Sequence, residues 1–333
     1  MMNKRLKQGS TFLLAVALTF PLLTLPGAKA ANAIDTDAEC SIEFDISGNS
    51  SELLSASIPV NLYKVASVDV SGNYTATGTF AKLDLSSVSA DNLDTAAATW
   101  SERAAEAKKL LKDDTEPTTT VTLTQGRGTA TGLNTGLYLV DTPEVVTTNY
   151  TYTFTPYLVS LPTNNYYSNG NDDWIYDLTK EYNSAVGLKP EEHARYGDLK
   201  INKTLAHHNA TTGKKATFVF KIEITPLKGK TETRIESLDF EAAGDSSVTI
   251  TKIPAGATVK VTEVYSGASY KLISENDQET TIVATDKDAK GDPASVSFTN
   301  DVDDNMDGGY GVRNNFKLDE NGQYQYTEPA AKN

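Results

Sequence analysis

Cysteine is nearly absent from this chain. Its 333 residues include one, Cys40, together with three histidines, three methionines and two tryptophans. A single cysteine excludes an internal disulfide. His207-His208 has no partner ligands and reads as a turn. There is no glycine-rich phosphate loop, nucleophile elbow or metalloprotease motif. The many acids show no spacing that singles out a carboxylate pair for glycoside hydrolysis. None of these features implies a cofactor. Basic residues are also short, with 30 Lys and Arg against 44 Asp and Glu and a net charge of −14. A surface of that sign repels nucleic acid and anionic membrane.

Long apolar runs are limited to one. Lys4, Arg5 and Lys7 precede an apolar stretch from Phe12 to Leu25, and Ala28-Lys29-Ala30 follows. This order of basic, apolar and small segments reads as a secretory signal peptide, residues 1–30, cleaved after Ala30. The alternative, a retained anchor, needs a longer run. Removing four basic residues and no acidic one moves the net charge from −14 to −18. About 300 mature residues make roughly two domains. The expected location is secreted or cell-surface, with no transmembrane segment after cleavage.

The mature chain has short runs rich in Thr, Val, Tyr and Ser between turn residues, an all-β signature. In the first half, strands are expected near Ser41–Ile46, Ile58–Val65, Tyr74–Phe80, Thr119–Thr124, Leu137–Asp141, Tyr150–Leu161 and Trp174–Thr179. Gly72-Asn73 is a hairpin signal. Trp100, Ala104, Ala107 and Leu111 fall at helical spacing, and Thr99 with Glu102 reads as a capping box. This predicts one inserted helix over 99–113, with Trp100 in the core. A linker is expected over 187–197. Strands then recur near Asp198–Thr204, Ala216–Ile224, Arg234–Phe240, Ser247–Ile253, Thr258–Val264, Tyr270–Ser274, Thr280–Ala284 and Ser295–Asn300. Phe218, Phe220, Ile222 and Ile224 share one face. The fold class is all-β: two tandem Ig-like sandwiches, at 31–186 and 198–300, with an acidic extension over 301–333.

Several segments carry a resemblance. Ile58-Pro-Val-Asn-Leu-Tyr-Lys-Val-Ala66, Gly136-Leu-Tyr-Leu-Val-Asp141, Pro156-Tyr-Leu-Val-Ser-Leu-Pro162 and Trp174-Ile-Tyr-Asp-Leu178 resemble the N-terminal domain of Gram-positive sortase-assembled pilins. Gly197-Asp-Leu-Lys-Ile-Asn-Lys-Thr204, Phe218-Val-Phe, Val261-Thr-Glu-Val264 and Phe298-Thr-Asn300 resemble a CnaB-type isopeptide domain. The resemblance implies a structural or adhesive surface subunit, not an enzyme. Its implied partners are other pilin subunits or sortase. A host glycan or matrix ligand is a further candidate partner, which tyrosine-rich loops such as Tyr166-Tyr167 and Tyr324 to Tyr326 could contact; the competing reading takes these tyrosines as ordinary edge residues. The rival within the same class is a secreted carbohydrate- or matrix-binding module that does not polymerise.

The resemblance also implies a crosslink, from Lys203 on the first strand to Asn300 on the last, assisted by Glu263. Burial disfavours charge, so a buried lysine gives up its proton and becomes a nucleophile. A buried glutamate stays protonated, polarises the asparagine carbonyl and shuttles protons as ammonia leaves. Such a reaction turns over once. Alternation is in phase with burial: Lys203 goes with Leu199 and Ile201, Glu263 with Val259 and Val261, Asn300 with Val296 and Phe298. The competing reading is a solvated lysine, an edge charge and a turn residue.

In the first domain Lys64 with Asn183, assisted by Asp141, is a possible second crosslink; the alternative is an exposed strand lysine. The family ends this domain with a Pro-Lys acceptor. Here Asn183 stands in the lysine's place; Lys180 is either a substitute acceptor or a plain exposed lysine. Leu161-Pro-Thr-Asn-Asn165 lacks the glycine of a sorting signal. That leaves an accessory subunit attached by a partner, a secreted adhesin or a truncated product. Asp303, Asn305 and Asp307 match the start of a calcium loop, but its twelfth position is Asn314 rather than glutamate. An acidic solvated loop is the bland alternative.

Overall fold

The computed structural model describes residues 33–90, 97–164, 174–179, 186–209, 215–267, 269–286, 289, 291–303, 315–318 and 324–327. The leader, Tyr166-Tyr167, Lys180, Asn183, Asn305 and Asp307 lie outside them. Among the described residues no helix is long and apolar enough to cross a membrane. The chain forms two compact units, Met1–Arg195 and Tyr196–Asn333.

The first unit contains β1 (Glu39–Asp45), α1 (Ser51–Leu54), β2 (Ile58–Val68), β3 (Tyr74–Ala76) and α2 (Ala97–Leu110). It continues through β4 (Thr119–Leu123), β5 (Arg127–Asn134), β6 (Gly136–Asp141), β7 (Val145–Val146), β8 (Tyr150–Phe154) and β9 (Tyr157–Leu161). Its last strands are β10 (Thr163–Asn164), β11 (Trp174–Ile175), β12 (Asp177–Leu178) and β13 (Pro190–Ala194). One sheet runs β12-β1-β5, and another runs β3-β2-β6-β9 with β4 also on β2. Cys40, Ile42 and Phe44 alternate inward from β1 onto Ile58, Val60, Leu62, Tyr138 and Val140. The opposite face of the second sheet, with Tyr63, Val65, Leu137 and Leu139, is covered by Trp100, Ala104 and Ala107 of α2. Both faces of β6 are therefore buried, which explains why Gly136–Asp141 reads as a continuous apolar run rather than an alternating one.

Some expectations need correction. Helix α2 starts at Ala97, so Thr99 lies inside it and is not its cap. Tyr150–Leu161 is two strands: β8 pairs with β13 and β9 pairs with β6. The break falls at Thr155-Pro156, where proline has no N–H for a ladder. The stretch expected as a linker is structured. Pro190–Ala194 pairs antiparallel with β8, and Tyr196 opens the second unit. Its polar composition reflects an edge strand with little burial.

The second unit contains β14 (Tyr196–Leu205), β15 (Ala216–Thr225), β16 (Glu232–Phe240), β17 (Gly244–Pro254) and β18 (Thr258–Tyr265). After these come β19 (Tyr270–Leu272), β20 (Asp277–Thr281), β21 (Ala294–Val302), β22 (Asn315–Leu318) and β23 (Tyr324–Thr327). Two four-stranded sheets, β17-β14-β21-β19 and β16-β15-β18-β20, enclose one core. Leu199, Ile201, Val296 and Phe298 meet Phe218, Phe220, Ile222, Val259 and Val261 there. The first strand, β14, and the last of the sandwich, β21, are parallel neighbours. Within 301–333, β22 and β23 pair as a two-stranded ladder.

Candidate functional site

Three polar side chains lie inside that apolar core. Lys203, Glu263 and Asn300 are 1%, 4% and 0% exposed. Each sits in the inward phase of its strand. β14 supplies Lys203, β21 supplies Asn300, and β18 in the facing sheet supplies Glu263. Lys203 is paired with Phe298 and Leu205 with Asn300, so the lysine and asparagine are diagonal neighbours on one face.

The three groups satisfy one another. Lys203 Nζ donates to Glu263 Oε2 at 2.8 Å and also to Asn300 Oδ1. Asn300 Nδ2 donates to Glu263 Oε1 at 2.6 Å. The ammonium end lies 4.5 Å from the centre of the Phe218 ring, and Phe220 and Phe298 pack with centroids 5.2 Å apart. Burial lowers the pKa of Lys203 from its ordinary 10.5, although the hydrogen bond and charge of Glu263 oppose that shift. Desolvation in this low-dielectric site favours the neutral amine of Lys203.

One detail differs from expectation. Glu263 touches the amide nitrogen of Asn300 and not its carbonyl, which instead faces the lysine. The donor and acceptor chemistry dictates this: a carboxylate oxygen takes the NH2, and the amine donates to the carbonyl oxygen. The acid is therefore beside the leaving group. Phe218 was legible as an inward aromatic. Asn276 was not singled out in the sequence. Asn276 accepts from the Glu263 backbone N–H at 2.9 Å from a segment between strands, which no periodicity marks.

The first unit shows no equivalent trio among the described residues. Its buried polar residues are Thr135, Thr142, Ser160 and Arg195. Lys64 is half-buried on β2 opposite Tyr138; burial lowers its pKa, and the thiol of Cys40 opposes the shift. Asp141 is not its partner. It lies three ladder steps away, in the opposite phase, and pairs with Lys108 of α2 at 2.7 Å. Strand alternation puts the two on different faces of the sheet. Asn183 lies outside the described residues. Of the calcium candidate only Asp303 is among the described residues, 3.8 Å from Lys271, and Asn305 and Asp307 lie outside them. His207 is not simply a turn residue, because its Nδ1 lies 2.9 Å from Asp301.

A domain family of unknown function, DUF5979, matches residues 199–303. No curated protein matches the chain. Among solved structures, it is similar to the minor pilin GBS52 of Streptococcus agalactiae, at 14% identity over 79% of this chain and 96% of that one, TM-score 0.23. It is also similar to a streptococcal ancillary pilin, at 12% identity over 80% and 69%, TM-score 0.24. The fimbrial protein FimP of Actinomyces oris matches at 12% identity over 72% and 63%, TM-score 0.29.

Proposed function

We propose that this protein is an extracellular structural and adhesive subunit of a Gram-positive cell surface or pilus, its second domain braced by an amide between Lys203 and Asn300. The observation that carries the reading is the buried lysine–glutamate–asparagine trio bridging the first and last strands of the sandwich. The leader-like start, acidic surface and single cysteine suit an exported protein that needs a covalent brace other than a disulfide. Its partners on this reading are further pilin subunits or sortase.

The chemistry follows from the contacts. The neutral Lys203 amine attacks Cγ of Asn300, forming a C–N bond. Its surplus proton passes to Glu263 Oε2. Glu263 delivers a proton from Oε1 to Nδ2, the Cγ–Nδ2 bond breaks, and ammonia leaves. Atoms balance: an amine and a carboxamide become a secondary amide and ammonia. The acid ends as it began, but the lysine is consumed, so the site acts once.

Intact-mass measurement of the mature protein tests this. The wild type should weigh one ammonia less than its sequence, and Glu263→Ala should have the full mass. A full-mass wild type rejects the crosslink.

A further inference from the structure

Both sheet ladders stop at the reacting residues. The β18–β20 ladder runs from Thr258↔Thr281 to Thr262↔Asp277, one residue short of Glu263. The β19–β21 ladder runs from Tyr270↔Val302 to Leu272↔Asn300, ending on the asparagine. Between them, residues 273–276 carry the chain from one sheet to the other along the open edge of the sandwich. An edge left there would expose unpaired backbone groups and admit water to the trio.

Side chains and backbone of this crossing close the edge instead. Ile273 N and Ser274 N donate to Thr299 O at 2.9 and 3.3 Å. Thr299 N donates to Ser274 Oγ at 3.1 Å. Gln278, at the start of β20, binds Ser297 as a peptide group would: Ser297 N donates to its Oε1 at 3.0 Å, and its Nε2 donates to Ser297 O at 2.5 Å. Asn276 Oδ1 takes the Glu263 N–H at 2.9 Å. One six-residue stretch therefore holds the backbone of the acid in one sheet and the backbone preceding the asparagine in the other.

We propose that residues 273–278 form a positioning clamp that sets Glu263 against Asn300, with Asn276 and Gln278 as positioning residues that govern the rate of crosslinking. This rests on the crosslinking reading above. Glu263 and Asn300 belong to different sheets, so their separation depends on how the sheets are registered at this edge. The clamp supplies that registration where ladder bonds have ended. Neither side chain touches the reacting atoms; each acts through the backbone it holds.

The test uses the full chain, made by cell-free synthesis with timed acid quenching, and follows loss of ammonia by intact mass. Asn276→Ala should slow the reaction about tenfold, roughly what one lost backbone hydrogen bond is worth, yet reach the same end mass. Asn276→Asp keeps an acceptor for the Glu263 N–H and should restore the rate. Gln278→Leu should slow the reaction from the other sheet. Melting of the same substitutions in an Asn300→Ala background, which cannot crosslink, reports whether each variant folds. Wild-type rates in both Asn276→Ala and Gln278→Leu overturn the clamp. So does an Asn276→Asp variant as slow as Asn276→Ala. Loss of folding in both also overturns it, because the segment then holds the fold rather than the reaction. Failure of the crosslink reading is distinct: it shows as full mass in the unsubstituted chain.

Discussion

Lys203 and Asn300 stand 97 residues apart in sequence and adjacent in space, on parallel strands that open and close the same sandwich. With an amide between them, a pull applied to the two strands would run through that bond.

A bond there should stabilise the domain mainly by restricting the unfolded chain. By analogy with a disulfide closing a loop of this length, the contribution is about 4–5 kcal/mol. Asn300→Ala also leaves Lys203 without one acceptor in the core. Chemical denaturation should therefore show the second unit of this variant weakened by at least that amount, and proteolysis should be faster. Equal midpoints for wild type and variant would contradict a covalent tie.

The lysine sets a pH dependence in any chain that cannot crosslink. In Glu263→Gln the lowered pKa of Lys203 means the folded state gives up a proton that the unfolded state keeps. Above the ordinary value of 10.5 the amine is neutral in both states and costs nothing. As pH falls below 10.5 the unfolded state gains protons first, so stability falls until the folded pKa is reached. Urea midpoints of Glu263→Gln should accordingly rise between neutral pH and pH 10. A flat profile would mean the lysine is not held away from water.

Cys40 should be inert. Its side chain is fully buried, and burial pushes the thiol up to about 12, with Lys64 opposing the shift. At pH 8 the thiolate fraction is then on the order of 1 in 10,000. Iodoacetamide should leave the native protein unmodified and label one site after unfolding, read by mass. Rapid labelling of native protein would place Cys40 at the surface.

Gly197 tests the start of the second unit. A Cβ there would sit 1.8 Å from the backbone oxygen of Val283 and 2.8 Å from the Ile282 side chain. The position also falls where the β14–β17 register shifts. Backbone has to move to admit a methyl group, so Gly197→Ala should destabilise by about 3 kcal/mol in urea titration. A neutral effect would show that β14 can shift away from Val283.

Local pattern determined much of this protein. Alternation in Thr217 to Ile224 and around Lys203, Glu263 and Asn300 was enough to assign strands and inward faces, because a strand's side chains have a period of two wherever it lies. Helix α2 was legible from its apolar spacing for the same kind of reason. Strand β5 was not, since its two buried residues, Ala130 and Leu133, are three apart rather than alternating, and its two glycines argue against a strand. The edge strand β13 passed for a linker because little of it is buried. Tertiary structure alone decided the rest. It turned Asp141 to Lys108 and away from Lys64, placed the Asn300 amide nitrogen on Glu263, and brought Asn276 and Gln278 to a sheet edge. Each depends on which strands become neighbours and on where their ladders end, and residues far apart in sequence carry no local mark of either.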